Sequence, residues 1–283
     1  MTNRGADIKR SITVAAAQMT SSIDTAANLA AITRLATDAA AAGASYVQFP
    51  EYCTFYGSPA RFAQAGESVP GPLTNLLGEL ARSLEITLHL GSVLEHSTQT
   101  NQFFNTSVVI GPTGELVATY RKVHLFDIDV PGEVAFKESD AIAAGETLVV
   151  ADLGTLQLGL SICFDLRFPE LYRHLAIEGA NVLAVPAAFS AVTGPAHWST
   201  LLRARAIENH VFVIAAARAG ASNEGLATHG HSMIIDPWGT VLAESTTPGE
   251  DLLVATIDLD EVAQRRRQIN VLGLRRSELY GGH

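Results

Sequence analysis

The stretch GLSICFDLRFPELY, residues 159–172, passes from one structural period to another within a few residues. Upstream, Leu156, Leu158, Leu160 and Ile162 fall on one face of an extended chain, and Gln157, Gly159, Ser161 and Cys163 fall on the other, the two-residue period of a strand. Downstream, Pro169 suits the first turn of a helix running through PELYRHLAIEG, and Gly179 suits its stop. A strand that turns directly into a helix is the unit of an α/β fold, and this junction puts Cys163 at the strand's carboxyl end. Enzymes of that class often hold a nucleophile there. A buried core thiol is the alternative, because free cysteine is among the most buried residue types.

The same alternation extends in both directions. ITVAAAQM reads as a buried strand, and DTAANLAAITRLATDAAAAG as a helix with Asp24 as N-cap and Gly43 as stop. SYVQFPE (strand), PGPLTNLLGELARSLE (helix), TLHLGSVLE (strand) and a hairpin turning at GPTG follow. After Cys163 the order repeats: the helix from Pro169, the strand NVLAVPAAF, the helix HWSTLLRARAIEN, the strand HVFVIAAA and a hairpin turning at DPWG. Two such halves predict a layered α/β architecture, sheet packed on sheet with helices outside, in one domain over residues 1–283. Between the halves, FDIDVPGEVAFKESDAIAAGE is the longest irregular stretch, and long ordered loops are often functional.

Composition narrows the function. The 283 residues are 47% hydrophobic, enough for a large core without staples. A formal charge of −10 with no sustained Lys/Arg run argues against nucleic-acid or membrane-surface partners. Cys53 and Cys163 are the only cysteines, so no disulfide framework exists and a reducing cytoplasm is expected. The N-terminal stretch has no signal-peptide pattern and no apolar run is long enough to span a membrane. Partners are expected to be small molecules or further subunits, with the basic tail RRRQINVLGLRRSELYGGH solvated or contacting a subunit.

Polar residues at strand ends form a short list. Glu51 closes SYVQFPE, Lys122 follows the first hairpin in TYRKVHLFD, and Cys163 closes LQLGLSIC. A carboxylate can take a thiol's proton, a thiolate can attack a carbonyl, and an ammonium can stabilise the oxyanion. His229 and His231 share a strand face, but no third metal ligand accompanies them.

FPEYC around Glu51, YRKVHLFD around Lys122 and ICFDLRFPELY around Cys163 together resemble the carbon–nitrogen hydrolases of the nitrilase superfamily. The resemblance continues through PAAFSAVTGPAHW, LLRARAIEN and GHSMIIDPWG to RRSELY. It implies a four-layer α-β-β-α sandwich, a homodimer or larger assembly, and no metal or organic cofactor. It also implies Cys163 as nucleophile, Glu51 as general base and Lys122 as oxyanion-stabilising cation. Glu138 in FKESD matches the family's second glutamate better than Glu133 does, and the Phe164 N–H would be a second oxyanion donor. True nitrilases follow the cysteine with Trp-Glu-Asn, whereas this chain has Phe164, Asp165 and Leu166, as in the amidase branch. HLFDIDVPG and TGPAHW resemble the Nit-type ω-amidases, which deamidate 2-oxoglutaramate; TGPAHW and LLRARAIE are also shared with amidases of deaminated glutathione. A broader aliphatic amidase or an acyltransferase is a further alternative.

A small substrate with a free carboxylate needs a cation, and a guanidinium grips one through parallel hydrogen bonds. Arg167 is nearest in sequence, with an ion pair to Asp165 or Glu170 as its alternative role. Tyr52, Phe55, Phe126 and Phe189 suit either the pocket wall or the core. Ser199 and Arg218 depart from the residues common in related amidases, and Arg218 is a candidate for a second carboxylate clamp.

Overall fold

The computed structural model describes residues 10–98, 102–132, 134–221 and 226–279. In chain order it gives β1 (Ser11–Gln18), α1 (Thr25–Ala41), β2 (Tyr46–Gln48), α2 (Pro72–Leu84), β3 (Thr87–His96), β4 (Phe103–Ile110) and β5 (Leu116–Arg121). A small hairpin, β6 (Asp127–Val130) and β7 (Val134–Lys137), leads to β8 (Val150–Leu153) and β9 (Leu156–Leu160). Then come α3 (Pro169–Ile177), β10 (Val182–Ala184), α4 (Gly194–Asn209), β11 (Phe212–Ala215) and the short β12 (Ala219–Gly220) and β13 (Thr228–His229). β14 (Met233–Ile235), β15 (Val241–Glu244), β16 (Asp251–Asp258) and α5 (Asp260–Gln268) complete the order.

Two six-stranded sheets form, β16-β1-β2-β3-β4-β5, built from the first half with β16 added at its edge from the end of the chain, and β15-β14-β11-β10-β9-β8, built from the second half. Along β1, Ala15 and Ala17 join the core beneath α1 and α2, with Ile32, Leu35 and Leu77. Val14 and Ala16 join the other core, with Leu158 and Val182 of the second sheet and Leu175, Trp198 and Leu202 of α3 and α4. Both faces of β1 are therefore covered, which is why VAAA, residues 14–17, is continuously apolar instead of alternating. Each fully buried aliphatic side chain contributes about 1.5–3 kcal/mol. The result is the four-layer α-β-β-α sandwich expected above.

Local signals are seen where they were expected. Asp24 caps α1, its side chain accepting from the Ala27 N–H at 3.0 Å, and Gly43 and Gly179 take positive φ just past α1 and α3. Two expectations need correction. The stretch between the halves is not irregular: it folds back as β6 and β7, ending in a 3-10 turn at Glu138–Asp140. β9 stops at Leu160, and Cys163 opens a 3-10 turn, Cys163–Arg167, instead of ending a strand. Gly159, Ser161 and Cys163 are all buried like their alternating neighbours, so the two-residue period does not mark a solvent face.

Candidate active site

Glu51 is aimed by a defect in the neighbouring strand. The pairing of β3 with β4 slips register between Leu90 and Val93, and the chain after β2 crosses at this bulge. A Cβ on Gly91 would lie 2.0 Å from the Phe49 carbonyl oxygen, so the crossing requires glycine. Ser92 then fastens the loop: its N–H donates to the Pro50 carbonyl at 3.3 Å, and its Oγ accepts from the Tyr52 N–H at 2.9 Å. Tyr52 sits in the left-handed region at φ 55°. The loop reverses there and leaves Glu51 buried between the sheets.

Lys122 extends the β4–β5 pairing by one residue, its N–H donating to the Asn105 carbonyl at 2.9 Å. Its buried ammonium donates to Glu51 Oε1 and to Glu138 Oε2, each at 2.9 Å. Glu138, delivered by the β6–β7 hairpin, also accepts from the Tyr52 hydroxyl at 3.0 Å and the Phe126 N–H at 2.7 Å. Asn105 Nδ2 donates to Glu51 Oε1 at 2.9 Å and to Glu138 Oε1 at 3.2 Å. From the segment after β10, the Ala188 N–H donates to Glu51 Oε2 at 2.8 Å.

Cys163 follows β9 with φ 47°, a conformation that costs a non-glycine residue about 1–3 kcal/mol and persists only where surrounding contacts enforce it. Those contacts are visible. The Cys163 N–H donates to the Pro186 carbonyl at 2.9 Å. Fully buried Asp165 accepts from the Ile162 N–H at 2.8 Å, the Tyr120 hydroxyl at 2.7 Å and the His124 N–H at 3.0 Å. Asp165 thereby ties the cysteine turn to the segment that carries Lys122. Phe164, in the first turn, has no intrahelical acceptor for its N–H.

The electrostatics follow from burial. The Cys163 thiol is pushed up by burial first and then by the Glu51 charge, with Lys122 partly opposing; it rests neutral and needs a base. Burial works against the Lys122 ammonium, but the charges of Glu138, Glu51 and Cys163 outweigh it and raise the group well above its ordinary range. Burial also opposes ionisation of Glu138, yet the Lys122 charge, the Lys122 and Phe126 hydrogen bonds and the Asn105 amide hold its carboxyl below the usual range.

These groups line one cavity of about 740 Å³, including its open mouth. Glu51, Tyr52, Lys122, Phe126, Glu138, Cys163, Phe164, Arg167 and Phe189 all border it. Phe55 does not; it packs in a separate core with Phe62, Leu94 and Ile142. Glu133, the alternative to Glu138, lies outside the described residues. Arg167 has no carboxylate within ion-pair distance among the described residues, so neither Asp165 nor Glu170 occupies it. Its guanidinium instead donates to Thr193 Oγ1 at 3.2 Å and His197 Nδ1 at 3.1 Å, beside the Phe189 ring. Arg218 does not border the cavity. It is buried behind Tyr56, 3.7 Å from the ring centroid, and donates to the Ser21 carbonyl at 3.0 Å and Thr228 Oγ1 at 2.8 Å. It supports a wall and is not a clamp. His229 and His231 stack at 4.4 Å, and no metal-ligand cluster is present among the described residues.

Sequence reading missed Asn105, Thr193, His197, Tyr56 and the Ala188 N–H. An asparagine inside the apolar run FFNTSVVI was the one visible signal among them.

The family model described as Carbon-nitrogen hydrolase matches residues 13–267. The deaminated glutathione amidase of Homo sapiens is 41% identical over 279 residues, 95% of this chain and 84% of that protein. Omega-amidase NIT2 of Mus musculus is 40% identical over 254 residues, 89% of this chain and 91% of that protein. The crystal structure of the C. elegans NitFhit protein superposes with a TM-score of 0.88 at 38% identity, covering 96% of this chain and 67% of that one. With its sheet-on-sheet fold and these relatives, the chain belongs to the carbon–nitrogen hydrolase family and is a hydrolase of non-peptide carbon–nitrogen bonds.

Proposed function

We propose that the protein is an ω-amidase, hydrolysing the terminal amide of a small carboxylic acid such as 2-oxoglutaramate through a cysteine thioester. One observation carries the reading: a guanidinium with no carboxylate partner among the described residues, Arg167, borders the same cavity as the buried Glu51, Lys122, Glu138 and Cys163. The first suits the substrate's free carboxylate and the rest suit its amide.

In this mechanism Cys163 Sγ attacks the amide carbon as its proton passes to Glu51, which is held by Lys122, Asn105 and the Ala188 N–H. The carbonyl π pair becomes an oxyanion, stabilised by the Lys122 ammonium and the Phe164 N–H. Collapse breaks the C–N bond, Glu51 returns its proton to the leaving nitrogen, and ammonia departs. Water then gives a proton to Glu51 and its oxygen to the thioester carbon; the thiolate leaves and recovers the proton. Glu138 takes no proton in this scheme. Its four donors keep it ionised, so that it orients Lys122.

Arg167→Ala is expected to lower kcat/KM for 2-oxoglutaramate about 10- to 100-fold, mainly through KM, the loss of one charged hydrogen-bonded pair. Propionamide, which has no carboxylate, should lose far less. Equal losses on both would remove Arg167 from substrate recognition.

A second reading, amidase action on deaminated glutathione, is favoured by the relatives of that name. The two substrates share an acyl half and differ in the leaving amine, so one site chemistry serves either. Steady-state hydrolysis of 2-oxoglutaramate, deaminated glutathione and simple aliphatic amides separates them. Preference for the first supports the proposal, and preference for the second replaces it.

We also propose a cytoplasmic homodimer. Ile177, Ile207, Trp238 and Leu242 are exposed large apolar groups on α3, α4 and the β14–β15 hairpin, both cysteines are free, and no described helix is long and apolar enough to cross a membrane.

A further inference from the structure

Asn105 lies in β4 with no exposed surface. It touches three of the four groups at the centre of the cavity. Its carbonyl accepts from the Lys122 N–H at 2.9 Å, and its side-chain amide donates to Glu51 at 2.9 Å and Glu138 at 3.2 Å. Glutamate oxygens that face an amide N–H accept from it, so one side chain fixes the orientation of both carboxyl groups. The other side of the amide is costly. Asn105 Oδ1 is buried and has no hydrogen-bond partner among the described residues, a penalty of about 1–3 kcal/mol for a group left unpaired. A polar residue kept in a core strand at such a cost points to a role other than stability.

Electrostatics supplies that role. Glu51 and Glu138 share one ammonium, and two neighbouring carboxylates with a single counter-charge tend to retain a proton between them. A proton held on Glu51 would leave Cys163 without a base. The amide gives each carboxylate a donor without adding charge, and its hydrogen bond is one of the influences that favour the ionised form of Glu138. We infer that Asn105 is a positioning residue that holds Glu51 and Glu138 apart as two acceptors, so that Glu51 is ready to take the Cys163 proton. This inference rests on the reading of Cys163 as nucleophile and Glu51 as base.

The test is the rate of Cys163 alkylation by iodoacetamide across pH, located by peptide mass spectrometry on the full chain, in wild type, Asn105→Asp and Asn105→Ala. Asn105→Asp puts a third carboxylate beside one ammonium, and the acid limb of the rate should move up by about one pH unit or more, about a tenfold loss of rate on that limb. Asn105→Ala removes donors without adding charge and should move the limb in the same direction by less. Thermal unfolding of each variant provides the folded fraction used to normalise the rates, and Asn105→Ala carries the test if Asn105→Asp does not fold. Superimposable normalised profiles would overturn the inference, whatever happens to Tm, because a space-filling role alters stability and not proton affinity. Absence of Cys163 alkylation in the wild type would overturn it as well. The reagent needs no substrate: a shifted profile in a protein that turns over no amide upholds the inference and rejects the proposed substrate, whereas unshifted profiles with intact 2-oxoglutaramate turnover do the reverse.

Discussion

Cys163→Ala is expected to lower kcat for 2-oxoglutaramate by about 10⁴-fold or more, because in the proposed mechanism Cys163 is the nucleophile and its loss removes the covalent route altogether. The fold should survive. Alanine at φ 47° is no more strained than cysteine, and the surrounding ties, Cys163 N–H to Pro186 and Asp165 to Tyr120 and His124, use no sulfur. The thiol removed rests neutral in the fold, so its loss relieves no buried charge, and Tm should change little. Acid-quenched mass spectrometry of the wild type during turnover should show an acyl adduct on Cys163 that the mutant lacks. A mutant retaining more than about one part in a hundred of the activity, well above the residue left by loss of a nucleophile, would sink the thioester mechanism.

Lys122→Met should damage activity and stability together. The ammonium lies between two carboxylates whose side chains are 3% and 4% exposed. Removing it leaves buried charge uncompensated, a loss of about 3–5 kcal/mol. Loss of an oxyanion donor would lower kcat by a further factor of about 10²–10³. The pH dependence tests the cause. Glu138 has its folded pKa depressed below the ordinary 4.5, so its contribution to wild-type stability is complete above that value and is lost as pH falls through the lowered one. Lys122 is raised above its ordinary 10.5, so its contribution is complete below that value and is lost only as pH rises through the raised one. The stability gap between wild type and Lys122→Met should therefore be widest between about pH 5 and 10 and should narrow in acid, where the bared carboxylates take up protons. Denaturant unfolding at a series of pH values measures it. A gap that does not change with pH would make the loss one of packing alone.

Much of this architecture was legible locally. Pro169 after the cysteine turn, the Asp24 cap, the Gly43 and Gly179 stops and two rounds of strand and helix specify elements and their order, because turn chemistry and periodicity act over a few residues. Glu51, Lys122, Glu138 and Cys163 stood out through their motifs and their complementary chemistry, and all four border one cavity. The hairpin of β6 and β7 was misread as irregular because its alternation is short and interrupted by the turn at Pro131 and Gly132.

What lay beyond the sequence was mutual placement. The Ala188 N–H meets Glu51 across 137 residues, and β16 returns from the far end of the chain to pair with β1. Arg167 does not pair with Asp165, whose oxygens are already taken by Ile162, Tyr120 and His124, and donates to Thr193 and His197 instead. Arg218 is turned behind Tyr56 and away from the cavity. Each outcome depends on which donors and acceptors are already paired once two sheets close on each other. Residue type and local spacing determine what a side chain can do; only the competition among buried neighbours for hydrogen bonds and counter-charges decides what it does.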